Sequence, residues 1–246
     1  CTILVRFVPI TQGTTTGSVA VSGSPGGSTS TTLAGRALDW GAAGAIETDD
    51  AANAFYSQIG VDGSGNTIAV WHQSDGVRDN IWANRYTAAA GWGTAVLIET
   101  DNAGGATYPQ IAVAPSGTAV AVWSQSDGTR VNVWANRYIA GSGWGTAVLV
   151  ESDNTGHAIN PKVALDPAGN AVAVWQQFDG AVYNLWASRA PAGSGWTAPV
   201  LLESDGNGVS VPQLAIDSAR NALAMWPQHD GTRNNVWASR YVPASG

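Results

Sequence analysis

The chain has 246 residues, of which 44% are hydrophobic and only 12% are charged. Its formal net charge of −7 argues against nucleic acid and anionic membrane surfaces as partners, because both attract basic patches. No apolar run approaches the ~18 residues that a transmembrane helix needs. Thirty glycines favour an all-β protein with many tight turns over a helical one.

Residues 1–10 predict an N-terminal extension strand. Cys1 is the only cysteine, which excludes an internal disulfide. A cysteine at the first position is typical of mature bacterial lipoproteins, so Cys1 is a candidate lipidation site; the alternative is an ordinary residue at an arbitrary start. Apolar side chains alternate onto both faces of this strand, which predicts that both faces are covered and that the chain self-associates through it. The candidate assembly residues are Ile3, Leu4, Val5, Phe7, Val8 and Ile10.

Residues 11–35 are dominated by Thr, Ser and Gly, a composition typical of flexible linkers. A weak strand at Ser18–Ser22 is compatible with this sequence. We therefore predict a linker between the extension strand and the rest of the chain, residues 36–246.

The remaining residues form four copies of one unit, because all twelve tryptophans recur at a spacing of 51 or 52 residues. A fixed period of this length is the signature of a propeller or a solenoid. The three columns are Trp40, Trp92, Trp144 and Trp196; Trp71, Trp123, Trp175 and Trp226; and Trp82, Trp134, Trp186 and Trp237.

Each repeat predicts four short strands, as the second repeat illustrates with β-forming runs at 109–113, 118–125, 131–138 and 143–151. An Asp-Gly hairpin signal at Asp127-Gly128 separates the second run from the third. Four strands per ~52 residues match a propeller blade. We predict an all-β, four-bladed β-propeller whose ring closes when Arg36–Thr48 pairs with the last blade. A strand swapped between subunits, or two chains that share a larger ring, is the alternative.

The recurring pattern AVAVWxQxDGxRxNxWANRY…GWGTAxLxExDN resembles tandem repeats of secreted or lipoprotein-type bacterial surface proteins. Its blade size and aromatic content are also similar to those of propeller lectins, both the tachylectin type and the lectins of insect-pathogenic bacteria. The resemblance covers residues 36–246 and implies a propeller fold. The resemblance does not identify individual sugar-binding residues, since propellers host many activities.

The candidate ligand site lies where the Asp-Gly turns and the fourth-to-first loops of the blades emerge, the long-loop face. Function concentrates on loops that a rigid scaffold holds. The first tryptophan column begins a strand beside glycines and is a candidate for stacking on a ligand. Both sets of residues also have a purely structural interpretation. The aspartates are then turn residues, and the tryptophans fill the space between blades. The candidate ligand-binding residues are Trp92, Trp144, Trp196, Asp101, Asn102, Asp127, Arg130, Asp153 and Asn154.

Two functions remain in view. The first is a non-enzymatic, multivalent binding or adhesion module for carbohydrate, such as cell-surface glycans, outside the cell or on a bacterial surface. The second is a structural subunit of an extracellular filament or surface layer, assembled through the N-terminal strand. We expect no enzyme, because no catalytic motif is present. We expect no cofactor or metal either, although the acidic E-T-D-N loops offer oxygen ligands that suit calcium.

Overall fold

The computed structural model describes residues 13–23, 27–37, 42–47, 52–152, 155–203 and 206–243. The predicted extension strand with its assembly residues and Cys1 lie outside these ranges, as do Trp40, Asp153 and Asn154. The chain divides into two compact units, Cys1–Ala45 and Ile46–Gly246. None of the described residues belongs to a helix that could cross a membrane.

The first unit contains a β-hairpin where the sequence predicted a flexible linker. Strand β1 (Gly13–Gly23) pairs antiparallel with β2 (Gly27–Ala37) along its whole length, so that Gly23 lies opposite Gly27. The predicted weak strand at Ser18–Ser22 lies in the C-terminal half of β1. Thr and Val favour extended backbone, and here that preference outweighs the flexibility that Gly and Ser bring.

The second unit contains four antiparallel sheets, one from each repeat, which confirms the all-β prediction. The first sheet contains β3 (Ala54–Val61), β4 (Thr67–Ser74), β5 (Asp79–Thr87), β6 (Gly91–Trp92) and β7 (Val96–Leu97). The second contains β8 (Ala106–Val113), β9 (Ala119–Ser126), β10 (Val131–Ile139), β11 (Gly143–Trp144) and β12 (Val148–Leu149). The third contains β13 (Ala158–Leu165), β14 (Ala171–Phe178), β15 (Tyr183–Ala190) and β16 (Val200–Leu201). The fourth contains β17 (Gln213–Ile216), β18 (Ala222–His229) and β19 (Asn234–Tyr241).

Neighbouring sheets pack face to face, and one tryptophan column fills each interface. Trp123 of the second sheet packs with Val70 and Ile81 of the first. Trp175 and Trp226 occupy the same position in the next two interfaces. β4, β9 and β14 are buried along nearly their whole length, whereas burial in β18 alternates between residues. These tryptophans are therefore wedges between sheets, as the structural alternative proposed.

The first strands of the sheets lie side by side: β3 neighbours β8, β8 neighbours β13, and β13 neighbours β17. We call these four the inner strands. They form one continuous surface, which gives the array a single side on which all four repeats meet.

The predicted ring closure by Arg36–Thr48 is not observed among the described residues. Arg36 belongs to β2 and pairs with Thr14, and residues 42–47 form no strand. Ile46 nevertheless occupies the same place as Ile98 of the next repeat. The Ile46 carbonyl accepts a hydrogen bond from Asn84 Nδ2 at 2.7 Å, and the Ile98 carbonyl accepts one from Asn136 Nδ2 at 2.8 Å. The number of blades in a closed ring stays a prediction.

Candidate functional site

The Asp-Gly turns are locked by their own aspartates. Oδ1 of Asp127 accepts hydrogen bonds from the backbone amides of Thr129 and Arg130, both at 2.8 Å, while Oδ2 accepts one from Asn132 at 3.0 Å. The same bonds recur around Asp75, Asp179 and Asp230. Hydrogen bonds to the charged form lower the pKa of all four carboxyl groups, that of Asp75 to about 2. Asp127 is thus a turn residue, with both oxygens used within the turn.

The long-loop face does bring the predicted turns and loops together. The Arg78 side chain donates a hydrogen bond to Asn102, and Asp101 Oδ1 caps the amide of Ala103 at 2.9 Å. In the next repeat, the Val131 amide donates to Nδ1 of His157 at 3.0 Å. Arg130 lies against its own turn aspartate, with 3.4 Å between Nε and Asp127 Oδ2. The polar groups named here are thus paired with other protein groups.

The glutamates beside these loops are buried between sheets. Glu99 is 3% exposed, and its Oε2 accepts a hydrogen bond from Gln125 Nε2 at 3.3 Å. Gln125 in turn accepts a 2.7 Å bond from the indole of Trp123. Burial raises the pKa of Glu99, while the bond from Gln125 opposes the rise. The same Trp–Gln–Glu chain joins Trp226, Gln228 and Glu203, so it belongs to the repeat interface rather than to a ligand site.

The stacking tryptophans lie far from these loops. Trp92 pairs with Tyr86 near the end of β5, whereas the Asp-Gly turn meets the beginning of β5 at Asp79. Seven residues of strand separate the two places, about 23 Å at ~3.3 Å per residue. Trp144 makes the equivalent edge contact with Tyr138, with ring centroids 5.5 Å apart. Trp92 and Trp144 therefore do not lie beside the acidic loops, and their stacking on a ligand stays a prediction.

A different site emerges on the inner strands, at a bulge that three repeats share. The pairing of first and second strands shifts register just after Phe55, Thr107 and Ile159. The bulged residues Tyr56, Tyr108 and Asn160 have φ of 53°, 54° and 53°. Left-handed backbone is uncommon for tyrosine and costs about 1–2 kcal/mol, and such strained residues cluster at functional sites.

The bulges of the first two repeats bring four rings together, which we call the aromatic site: Phe55, Tyr56, His72 and Tyr108. The Tyr56 and Tyr108 rings meet edge to face with centroids 4.6 Å apart. His72 lies 5.2 Å from the Tyr56 centroid and 6.3 Å from that of Tyr108. Tyr56 is 56% exposed and Tyr108 45%, so their rings present apolar surface and hydroxyl groups to solvent together.

The environment of the aromatic site favours the neutral forms of His72 and Tyr108. Burial lowers the pKa of His72, and its Nδ1 has no hydrogen-bond partner among the described residues. A side-chain hydrogen bond with Tyr56 raises the pKa of Tyr108. The exposed tyrosines therefore offer hydroxyl groups beside aromatic faces, an arrangement that suits a polyhydroxylated ligand.

Polar groups extend this surface into the third repeat. Asn160 Nδ2 donates to Gln176 Oε1 at 2.7 Å, and Gln176 occupies the repeat position of His72. Lys162 Nζ donates to Gln110 Oε1 at 3.2 Å, two residues beyond Tyr108. Burial lowers the pKa of Lys162, the only lysine of the chain. The aromatic rings and this polar strip together form the candidate binding surface.

Sequence reasoning missed the aromatic site because the bulge conformation has no signal in residue type. The sequence did contain one signal for this site, which lies just before the apolar end of each inner strand. The segments at that place are FYSQ, TYPQ, INPK and VPQ, and only the first two contain aromatic residues. A binding site that occurs in only some of the repeats would produce this pattern, in which one position varies while the rest of the repeat stays constant.

No group of three or more His, Cys, Asp or Glu residues that could hold a metal ion occurs in the described part of the chain. The E-S-D-N loop of the third repeat falls partly outside it, at Asp153 and Asn154. The calcium alternative accordingly stays a prediction for these loops.

No family model and no curated protein sequence matches the chain. Several solved structures do match the chain. The α-L-arabinofuranosidase of Fusarium graminearum, in complex with an iminosugar inhibitor, is 13% identical with a TM-score of 0.52, over 80% of this chain and 63% of the enzyme. A leech intramolecular trans-sialidase is 11% identical with a TM-score of 0.49, over 73% of this chain and 30% of the enzyme. A Dyadobacter fermentans protein of unknown function is 11% identical with a TM-score of 0.37, over 80% and 81% of the two chains.

The similarity to the arabinofuranosidase establishes a propeller-type fold and corrects one prediction. The chain spans less than two thirds of the arabinofuranosidase and under a third of the trans-sialidase. No lectin stands among these similar structures, so the resemblance to propeller lectins is confirmed only as a propeller-type fold. The prediction that the chain is not an enzyme is contradicted, because the α-L-arabinofuranosidase, a glycosidase, has a similar fold.

Proposed function

We propose that this protein recognises carbohydrate on its inner strands, with the aromatic site as the primary contact. The observation that carries the proposal is the exposed Tyr56–Tyr108 pair on left-handed backbone. Sugar rings present C–H faces between hydroxyl groups, so they pack on aromatic rings while hydrogen-bonding to neutral polar groups nearby.

The chemistry of the surrounding surface supports a neutral or polar glycan. Gln110 and Asn160 supply amide groups on the neighbouring inner strands. An elongated surface across several inner strands fits an oligosaccharide better than a single sugar. Carbohydrate is also what the arabinofuranosidase of similar fold acts on, and we extend that class of ligand to this chain as part of the proposal.

The experiment is calorimetry on oligosaccharides selected by a glycan array, with Tyr56→Ala and Tyr108→Ala beside the unchanged protein. We expect each variant to weaken binding about 5- to 30-fold, since a stacking aromatic contributes about 1–2 kcal/mol. Tyr108→Phe keeps the ring and should retain most of the affinity. The same samples are examined for cleaved products, because glycosidases share the fold.

Trp92→Ala and Trp144→Ala are the matched controls, since both rings are also accessible but lie at the other end of the sheets. Loss of binding in the tryptophan variants, with tyrosine variants unchanged, would place the site where the sequence first suggested it and would refute the aromatic site. An array without hits would refute the carbohydrate proposal itself.

A further inference from the structure

One position of the inner strands has a different chemistry in the third repeat. The residue opposite the middle of each second strand is a glutamine in three repeats and a lysine in one. These residues are Gln58, Gln110, Lys162 and Gln213, which pair with Val70, Val122, Val174 and Met225 of β4, β9, β14 and β18. The third repeat therefore has an ammonium group where the others have a neutral amide.

Lys162 is the only charged residue of the inner strands. The sequences of β3, β8, β13 and β17 contain no aspartate, glutamate or arginine. These strands therefore contribute one positive charge to their surface, although the whole chain has a net charge of −7. An anionic ligand is attracted to this place more than to the acidic remainder of the chain.

The ammonium group of Lys162 forms no ion pair with any carboxylate of the described residues. Its Nζ donates a hydrogen bond to the neutral Gln110 Oε1 at 3.2 Å. Asp166 comes four residues later in the chain, about 13 Å away along the strand direction, and its carboxylate accepts hydrogen bonds from Asn170. Because Lys162 is half-buried, its charge is partly removed from water without an acidic partner. Charges that leave water are normally paired, so this one is a candidate for ligand binding.

Lys162 is also close to the aromatic site. Tyr108 and Gln110 are both accessible, whereas Pro109 between them is buried, so the two side chains face the same side of β8. Two residues of strand separate them, about 7 Å. Since Gln110 accepts the hydrogen bond from Lys162, an oligosaccharide that stacks on Tyr108 extends naturally to the ammonium group.

We propose that Lys162 binds a negatively charged group, a carboxylate or a sulfate ester, of the glycan that stacks on the aromatic site. This inference rests on the proposed function and narrows its ligand to acidic oligosaccharides. A lysine ammonium is a compact point charge with three donors, so it binds either kind of anion. One donor contacts Gln110, which holds the ammonium group in place and leaves two donors for the ligand.

The first test compares glycans that differ only in charge. The array contains oligogalacturonates and oligoglucuronates beside their methyl esters, and sulfated galactose oligosaccharides beside their unsulfated parents. We expect the acidic member of a pair to bind about tenfold more tightly, which corresponds to ~1.4 kcal/mol and suits one charge-assisted hydrogen bond at a half-buried site. Added salt should reduce this preference. The pairs that show it identify the anion, and equal binding of acidic and neutral members would overturn the proposal.

Lys162→Gln is the decisive variant, because it introduces the residue that the other three repeats have at this position. Chemical denaturation should show unchanged stability. We expect the variant to lose about tenfold in affinity for acidic glycans and to bind their neutral counterparts as before. Lys162→Arg keeps the charge and should retain the preference. A preference for acidic glycans that survives Lys162→Gln would contradict the assigned role.

Arg233→Gln is the matched control for net charge. It also removes one positive charge, but from a turn outside the inner strands, where the arginine side chain is 80% exposed. We expect this variant to bind acidic and neutral glycans as the unchanged protein does. An equal loss in Arg233→Gln and Lys162→Gln would mean that overall charge, and not a contact with Lys162, causes the preference.

Nuclear magnetic resonance observes the contact directly, because Lys162 is the only lysine of the chain. Isotope-labelled lysine then gives a single Cε signal. We expect an acidic glycan to shift this signal more than its neutral counterpart, and Tyr108→Ala to weaken both titrations. A signal that stays in place while binding depends on Tyr108 would overturn this inference and leave the proposed function intact. An array without any hits would refute the proposed function, and this inference with it.

Discussion

At the residue scale, Tyr56 and Tyr108 have left-handed backbone, so the residue that we propose for binding is not the residue that is best for stability. Tyr108 has a φ of 54° and is 45% exposed, so its ring contributes little to the core while its backbone is strained. Tyr108→Gly should be about 1 kcal/mol more stable than Tyr108→Ala, because glycine adopts positive φ without a Cβ clash. Chemical denaturation measures the difference, and both variants should lose carbohydrate affinity equally.

An alanine variant as stable as the glycine variant would contradict the strained geometry at Tyr108. Gly117→Ala is the matched control at a position where the natural residue is already glycine with a φ of 85°. There, the same argument predicts a loss of about 1 kcal/mol.

At the element scale, interfaces between sheets bury a titratable carboxyl group. Burial raises the pKa of Glu99 above the ordinary value of a glutamate, so the folded state binds more protons than the unfolded state as pH rises above that value. Stability should therefore fall with rising pH above ~4.5, and Glu99→Gln should remove that part of the slope while keeping an acceptor for Gln125. Denaturation midpoints between pH 4.5 and 7 measure the slope.

Asp217→Asn is the control for this prediction, since hydrogen bonds from Asn221 lower the pKa of that turn carboxyl group and move its titration below the pH range measured. It should lower stability uniformly without changing the slope. If Glu99→Gln and the unchanged protein have parallel pH profiles, Glu99 does not titrate in the folded interface as proposed.

Strand positions in the repeats could be predicted from the sequence, whereas several elements could not. The predicted runs 118–125 and 131–138 coincide with β9 and β10 within a residue, because β-branched residues and Asp-Gly turns both favour a hairpin there. The β1–β2 hairpin was missed, since Thr, Ser and Gly are equally typical of linkers. The aromatic site was missed because a register shift after Phe55 turns a residue to a new direction without any marker in the sequence.

At the scale of the whole molecule, stability should follow the stack of interfaces rather than one shared core. Each sheet packs mainly on its two neighbours, as in repeat arrays whose stability is a sum of nearest-neighbour contacts. A substitution in a middle interface therefore affects two sheets, while one at an exposed end affects one sheet weakly.

Trp123→Ala and Trp237→Ala test this difference with the same chemical change. Trp123 is fully buried and its indole donates to Gln125, so its removal leaves a cavity and an unpaired amide oxygen, at a cost of about 3–5 kcal/mol. Trp237 is 44% exposed in the last sheet, and its removal should cost about 1 kcal/mol or less. Urea denaturation followed by circular dichroism measures both. Equal losses would mean that the end of the array is as tightly packed as its middle, and the nearest-neighbour account would then be wrong for this protein.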